Sequence, residues 1–201
     1  MATQMDYIEK SIKERFLLRR ILLKLPKCYD YKYYFTPESG YDLYDGVLMK
    51  FEKDTNKYLG RYIIEVKVRD RHYDELLLER KKITDLIKEV KQMDKKTNEE
   101  CWTDIKSDII YVNVTPQGSY WFKLTDIEPN KIEWNNEEHW VSTTDKSKGK
   151  ITKQVTYLPI SSAKLNFDIT SNDVDPNSDV VMKKMMVSQE QNRCLYQYLI
   201  S

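Results

Sequence analysis

Apolar residues recur at three- and four-residue steps through residues 4–25, where Met5, Ile8, Ile12 and Phe16 define one face. The spacing predicts a helix, and Pro26 closes it, because proline lacks a backbone donor and crowds the preceding turn. Tyr29–Phe35 is aromatic and β-favouring, and Pro37-Glu38-Ser39-Gly40 then predicts a turn. Residues 43–52 and 60–69 read as two strands of a hairpin, joined by the polar loop Lys53–Lys57. Residues 74–93 read as a helix with Asp74 at its N-cap and Leu76, Ile83, Leu86, Ile87, Val90 and Met93 along one face. A charged linker, 94–100, precedes an apolar strand at Ile109–Val114, which pairs with Ser119–Leu124 across Pro116-Gln117-Gly118. Residues 130–169 suggest further short strands, Val155–Ile160 among them, and Asp179–Ile200 reads as a closing helix. There is no internal repeat.

Composition narrows the class without naming a function. The 201 residues are 40% hydrophobic and 32% charged, which fits a soluble globular chain with a strongly charged surface. No apolar stretch approaches a membrane span and the N-terminus has no signal-peptide pattern, so no membrane partner is expected. Cys28, Cys101 and Cys194 are odd in number, scattered and without a CxxC, which predicts free thiols in a reducing, cytoplasmic setting. His72 and His139 lack partners at metal-ligand spacing, which disfavours a zinc site or a Cys–His nucleophile. The net charge of +1 does not advertise nucleic-acid binding. Its distribution is less neutral: eight Lys/Arg lie between Lys10 and Lys32 against only Glu14 and Asp30, whereas residues 126–179 lean acidic.

One polar pair stands out against this pattern. Arg61-Tyr62-Ile63-Ile64-Glu65-Val66-Lys67-Val68 is a β-branched run that carries Glu65 and Lys67 two residues apart, hence on one face of a strand. A carboxylate and an ammonium in apolar company are expensive unless something pairs with them, a metal ion included. Asp45 stands twenty positions earlier, at the head of Gly46-Val47-Leu48-Met49, where a hairpin brings it beside Glu65. Acid-x-Lys also occurs at Asp30/Lys32, Glu79/Lys81, Glu89/Lys91, Asp94/Lys96 and Asp104/Lys106, but mostly in charged segments that a solvated face explains. The bland alternative is a cross-strand ion pair on an edge strand with Asp45 as a turn residue, and Asp42 rivals Asp45 for the position.

Helix, three strands, helix, strand, with an acid on the second strand and Glu-x-Lys on the third, resembles the PD-(D/E)XK nuclease superfamily over roughly residues 4–124. Tyr44 stands where the family's name places proline. The resemblance implies an α/β (α+β) fold with a restriction-endonuclease-like core, a mixed central sheet flanked by helices. It makes residues 1–125 a nuclease-like core; residues 126–201, which it does not cover, read as a β-rich extension packed on that core in a single structural domain and ending in a helix. It implies a metal-dependent deoxyribonuclease in which Asp45, Glu65 and the main-chain carbonyl of Val66 hold Mg²⁺ or Mn²⁺. Lys67 then orients or deprotonates the attacking water, or holds the phosphate. Glu14, or Glu9, on the first helix is the candidate auxiliary acid, and Arg69, Lys81 and Lys82 are candidate DNA contacts. DNA is the implied partner, and a homodimer matches the symmetry of a duplex cut on both strands. Two other readings stay open: a non-catalytic docking protein on the same fold, and a single-stranded nucleic-acid binder that stacks bases on Tyr29, Tyr31, Tyr33, Tyr34, Tyr41 and Tyr44.

Overall fold

Two central strands are apolar on both faces, and their side chains decide the architecture. The computed structural model describes residues 4–36, 43–101, 103–125, 127–141 and 146–173. In chain order the elements are α1 (Gln4–Leu22), β1 (Tyr29–Phe35), β2 (Gly46–Glu52), β3 (Tyr58–Val68), β4 (Glu75–Glu79), α2 (Arg80–Cys101), β5 (Ser107–Thr115), β6 (Gly118–Lys123), β7 (Asn135–Trp140), β8 (Lys150–Pro159) and β9 (Leu165–Phe167). Six strands form one mixed sheet in the order β1-β2-β3-β5-β6-β9. Among the described strands only β3 and β5 run parallel, Glu65 opposite Tyr111 and Lys67 opposite Asn113, with β4 and α2 as the crossover between them.

Alternation along β3 and β5 splits the core into two clusters. Ile64 and Val66 pack with Ile110, Val112 and Val114 against Leu17, Leu18 and Ile21 of α1. Ile63 packs with Ile109 and Tyr111 against Ile83, Leu86 and Val90 of α2. Helices therefore cover both faces of the sheet. That is why β3 and β5 read as nearly unbroken apolar runs. The fold is mixed α/β, as the pattern predicts.

The segment 74–93 is not one helix. Glu75–Glu79 is a strand in which Leu76 and Leu78 are buried, and the helix begins at Arg80. Three consecutive leucines satisfy either period, and the choice falls to the long-range partner: β4 pairs with β8, Leu76 opposite Leu158. Asp74 does not cap a helix; its carbonyl accepts from Ile160 N at 2.8 Å. The expected linker 94–100 is instead the last part of α2, laced by Lys95–Glu99 and Lys96–Glu100 pairs at i,i+4. β4 thereby joins β8 and β7 in a second, three-stranded antiparallel sheet, while β9 returns to the edge of the first. No helix among the described residues is long and apolar enough to cross a membrane. The expected turn at 37–40, Asp42 and the expected helix at 179–200 lie outside the described residues.

Candidate active site

The hairpin β2–β3 carries the acids, and its first residues are held from three sides. Asp45 N donates to Ile64 O at 2.8 Å, and Asp45 Oδ2 accepts from Val66 N at 2.7 Å. The Asp45 carbonyl accepts from Thr36 N at 3.0 Å and from Thr36 Oγ1 at 3.3 Å, and the same hydroxyl reaches Tyr44 O at 3.0 Å. Thr36 is fixed in turn by α1: Arg15 Nε donates to its carbonyl at 2.9 Å and Arg15 Nη2 to its hydroxyl at 3.2 Å. Close approach of β1 also requires Gly46, where a Cβ would lie 2.9 Å from the Tyr34 carbonyl oxygen. Within one strand residue the N–H and C=O project to the same edge, so the Val66 carbonyl faces the side on which Asp45 binds Val66 N.

Glu65 is buried on the face that meets α2, and its Oε1 accepts from two lysines. Lys67 Nζ, on the same strand, lies 2.8 Å away. Lys82 Nζ, from the first turn of α2, makes the second, shorter contact. Burial alone would raise the Glu65 carboxyl, but the two ammoniums outweigh it and hold it below the usual carboxylate range. Burial would likewise depress Lys67, yet Glu65 and the surrounding acids keep it firmly protonated. Lys82 goes the other way: burial and the neighbouring Lys67 charge lower it despite the contact with Glu65. Sharing one carboxylate between two ammoniums leaves the second only partly compensated.

Negative charge in the pocket is also uncompensated. Burial, then Glu65, then Glu14 push the Asp45 carboxyl up to about 7, against the pull of Lys67 and of the Val66 amide. Glu14 comes from α1, is buried, and its Oε1 accepts no hydrogen bond. Asn113, beside Lys67 in the parallel register, has a buried Oδ1 that also accepts none. Tyr111, beside Glu65, is fully buried and its phenol is raised, first by that burial. Unsatisfied buried oxygens are costly, and these two belong to an acid acting on Asp45 and to the register neighbour of Lys67.

The structure thus brings Asp45, Glu65, Lys67, Glu14 and Lys82 into one electrostatic cluster, with the Val66 main chain at its edge. Lys81 does not join; it is 88% exposed and pairs with Asp85 at 2.5 Å one turn along α2. Arg69 sits just past β3 with its N–H on Val114 O, and its charge acts on Tyr111. The sequence reading had not singled out Arg15, Thr36, Tyr111 or Asn113. Asn113 was detectable as the one amide within the apolar run Ile109–Val114. Tyr31, Tyr33, Tyr34 and Tyr44 pack at the rims of the two core clusters, which accounts for most of the aromatic crowding without stacked bases.

The donor set is entirely oxygen, which suits a hard cation such as Mg²⁺ or Mn²⁺. Among the described residues no three His, Cys, Asp or Glu side chains converge tightly enough to form a cage by themselves. Two carboxylates and a main-chain carbonyl need no such cage, since Mg²⁺ keeps several waters. Comparison with family profiles, curated proteins and solved structures yields no match to this chain.

Proposed function

We propose that the protein is a metal-dependent deoxyribonuclease with a restriction-endonuclease-like core. One observation carries the reading: the acid at the head of β2 meets Glu-x-Lys on β3 in a buried pocket, where burial and then the charges of Glu65 and Glu14 push the Asp45 carboxyl up to about 7. The element order supports it, with α1 before the hairpin and α2 as the crossover to the parallel strand β5, although β4 adds a strand before α2. Asp45, Glu65 and the Val66 carbonyl would hold Mg²⁺ or Mn²⁺, with Glu14 as auxiliary acid. A bound ion of this kind lowers the pKa of its water and offsets charge on the phosphate.

The chain's own groups define the rest. Lys67, 2.8 Å from Glu65, is placed to orient or deprotonate the attacking water or to hold a non-bridging phosphate oxygen. Asp45 is positioned indirectly: Arg15 fixes Thr36, and Thr36 fixes the Asp45 backbone. The test is a cleavage assay on linear, supercoiled, branched and single-stranded DNA with Mg²⁺ or Mn²⁺, beside EDTA and Lys67→Ala controls. Cutting that needs the metal and disappears in Lys67→Ala is the expected result. Silence from a folded wild-type protein on all four substrates would sink the nuclease and leave a docking protein on this fold.

A further inference from the structure

Glu65 would serve three positive charges in the proposed site. Its Oε1 already accepts from both Lys67 and Lys82, and a metal ion on the same carboxylate would repel those ammoniums. Lys67 is tied to Glu65 by the strand itself, two residues away on the same face. Lys82 arrives from α2 on a four-carbon stem, and 30% of its side chain remains exposed, so it has open space to move into. Formal charge agrees: Glu14, Asp45 and Glu65 are three acids against the two ammoniums of Lys67 and Lys82. A divalent ion turns that small deficit of positive charge into an excess, and one phosphodiester anion restores balance.

We infer that Lys82 is an exchangeable cation, holding Glu65 until a divalent ion takes its place and then swinging to a phosphate oxygen of the DNA. This rests on the nuclease reading and specifies how the site is regulated. Lys82 competes with the metal, because the binding-competent state is only that fraction of molecules in which Glu65 is released. DNA phosphate draws Lys82 away, so metal and DNA bind cooperatively, and by linkage each strengthens the other equally.

Isothermal titration of Mn²⁺ into the full chain tests this without catalysis. Wild type, Lys82→Met and Lys82→Arg are compared with and without phosphorothioate DNA, in linear duplex, branched and single-stranded forms. Lys82→Met should bind Mn²⁺ about tenfold more tightly than wild type in the absence of DNA, within the usual range of coupling between sites. Lys82→Arg should stay as weak as wild type. DNA should tighten Mn²⁺ binding to wild type by a similar factor and leave Lys82→Met nearly unchanged. The exchange is overturned if Lys82→Met binds Mn²⁺ no better than wild type, or if DNA helps both proteins equally or neither. Mn²⁺ binding that Asp45→Ala abolishes but Lys82→Met leaves unaltered defeats the exchange alone. Failure of folded wild type and Lys82→Met to bind Mn²⁺ at all defeats the metal site and the exchange together.

Discussion

Replacing Asp45 by asparagine should stabilise the protein while removing its function. The Asp45 carboxyl titrates at about 7 in the fold against an ordinary 3.8, because burial and the charges of Glu65 and Glu14 oppose its ionisation. The folded state therefore holds this proton more tightly than the unfolded chain does. The contribution of Asp45 to stability falls as pH rises from about 4 to about 7, and above that range the fold bears the full cost of its charge. About three pKa units at ~1.4 kcal/mol each set a ceiling of about 4 kcal/mol. An amide at this position can still accept the Val66 N–H now bonded to Oδ2 at 2.7 Å, and it carries no charge at any pH. Asp45→Asn should thus exceed wild type by up to about 4 kcal/mol at pH 8.5, and by almost nothing at pH 4. At roughly 2–4 °C of Tm per kcal/mol for a chain of this size, the gain is easily measured. Urea denaturation of both proteins in EDTA from pH 4 to pH 8.5, referenced to the wild type at each pH, cancels the other titrating groups. A variant no more stable at pH 8.5, or equally favoured at pH 4, would show that burial and the neighbouring acids do not oppose the ionisation of Asp45.

Two further substitutions separate structural pairs from site geometry. Asp94 accepts from Arg61 at 2.6 Å and from Ser107 N at 2.8 Å, both side chains being largely buried, so Asp94→Ala should cost about 3–5 kcal/mol in urea denaturation. The double variant Arg61→Leu/Asp94→Leu should recover much of that loss; a double variant worse than Asp94→Ala would refute the buried-charge explanation. Thr36→Val removes the acceptor of Arg15 Nη2 and the donor to Tyr44 O, at about 1–3 kcal/mol. It should also weaken Mn²⁺ binding with every proposed ligand intact. Unchanged Mn²⁺ affinity in a destabilised Thr36→Val would show that the Thr36 contacts do not position Asp45.

The hairpin was legible because its signal is local. Glu65 and Lys67 interrupt a β-branched run, and Asp45 precedes the next apolar run at hairpin distance, so two-residue periodicity and one loop suffice to bring them together. Lys82 could be suspected only as a basic residue on a helix, since its contact with Glu65 spans seventeen residues and depends on where α2 begins. That start was misplaced, because Leu76-Leu77-Leu78 fits a helix face as readily as a strand until β8 supplies the pairing edge. Arg15 looked like one member of a solvated basic stretch, but it is buried against Thr36, twenty-one residues away. Local periodicity finds what the backbone repeats. It does not find what a crossover or a returning strand delivers.

Two buried ion clusters in this molecule have opposite character, and the contrast bears on function more than either does alone. Around Arg61, each guanidinium nitrogen donates, to Ser107, Thr97 and Asp94, and both Asp94 oxygens accept. The pair itself is closed: it joins β3 to α2 and β5 and leaves no polar atom of Arg61 or Asp94 wanting a partner, although the nearby Tyr58 hydroxyl is buried without one. Around Glu65, Glu14 Oε1 and Asn113 Oδ1 go without hydrogen bonds, Asp45 is strained toward neutrality and two lysines share one oxygen. Selection for stability alone would replace such groups with apolar ones at little cost or some gain. A pocket that keeps unsatisfied oxygens beside two ammoniums sharing one carboxylate suits ligands that bring their own charge. The hard cation and phosphodiester of the proposed function are such a pair.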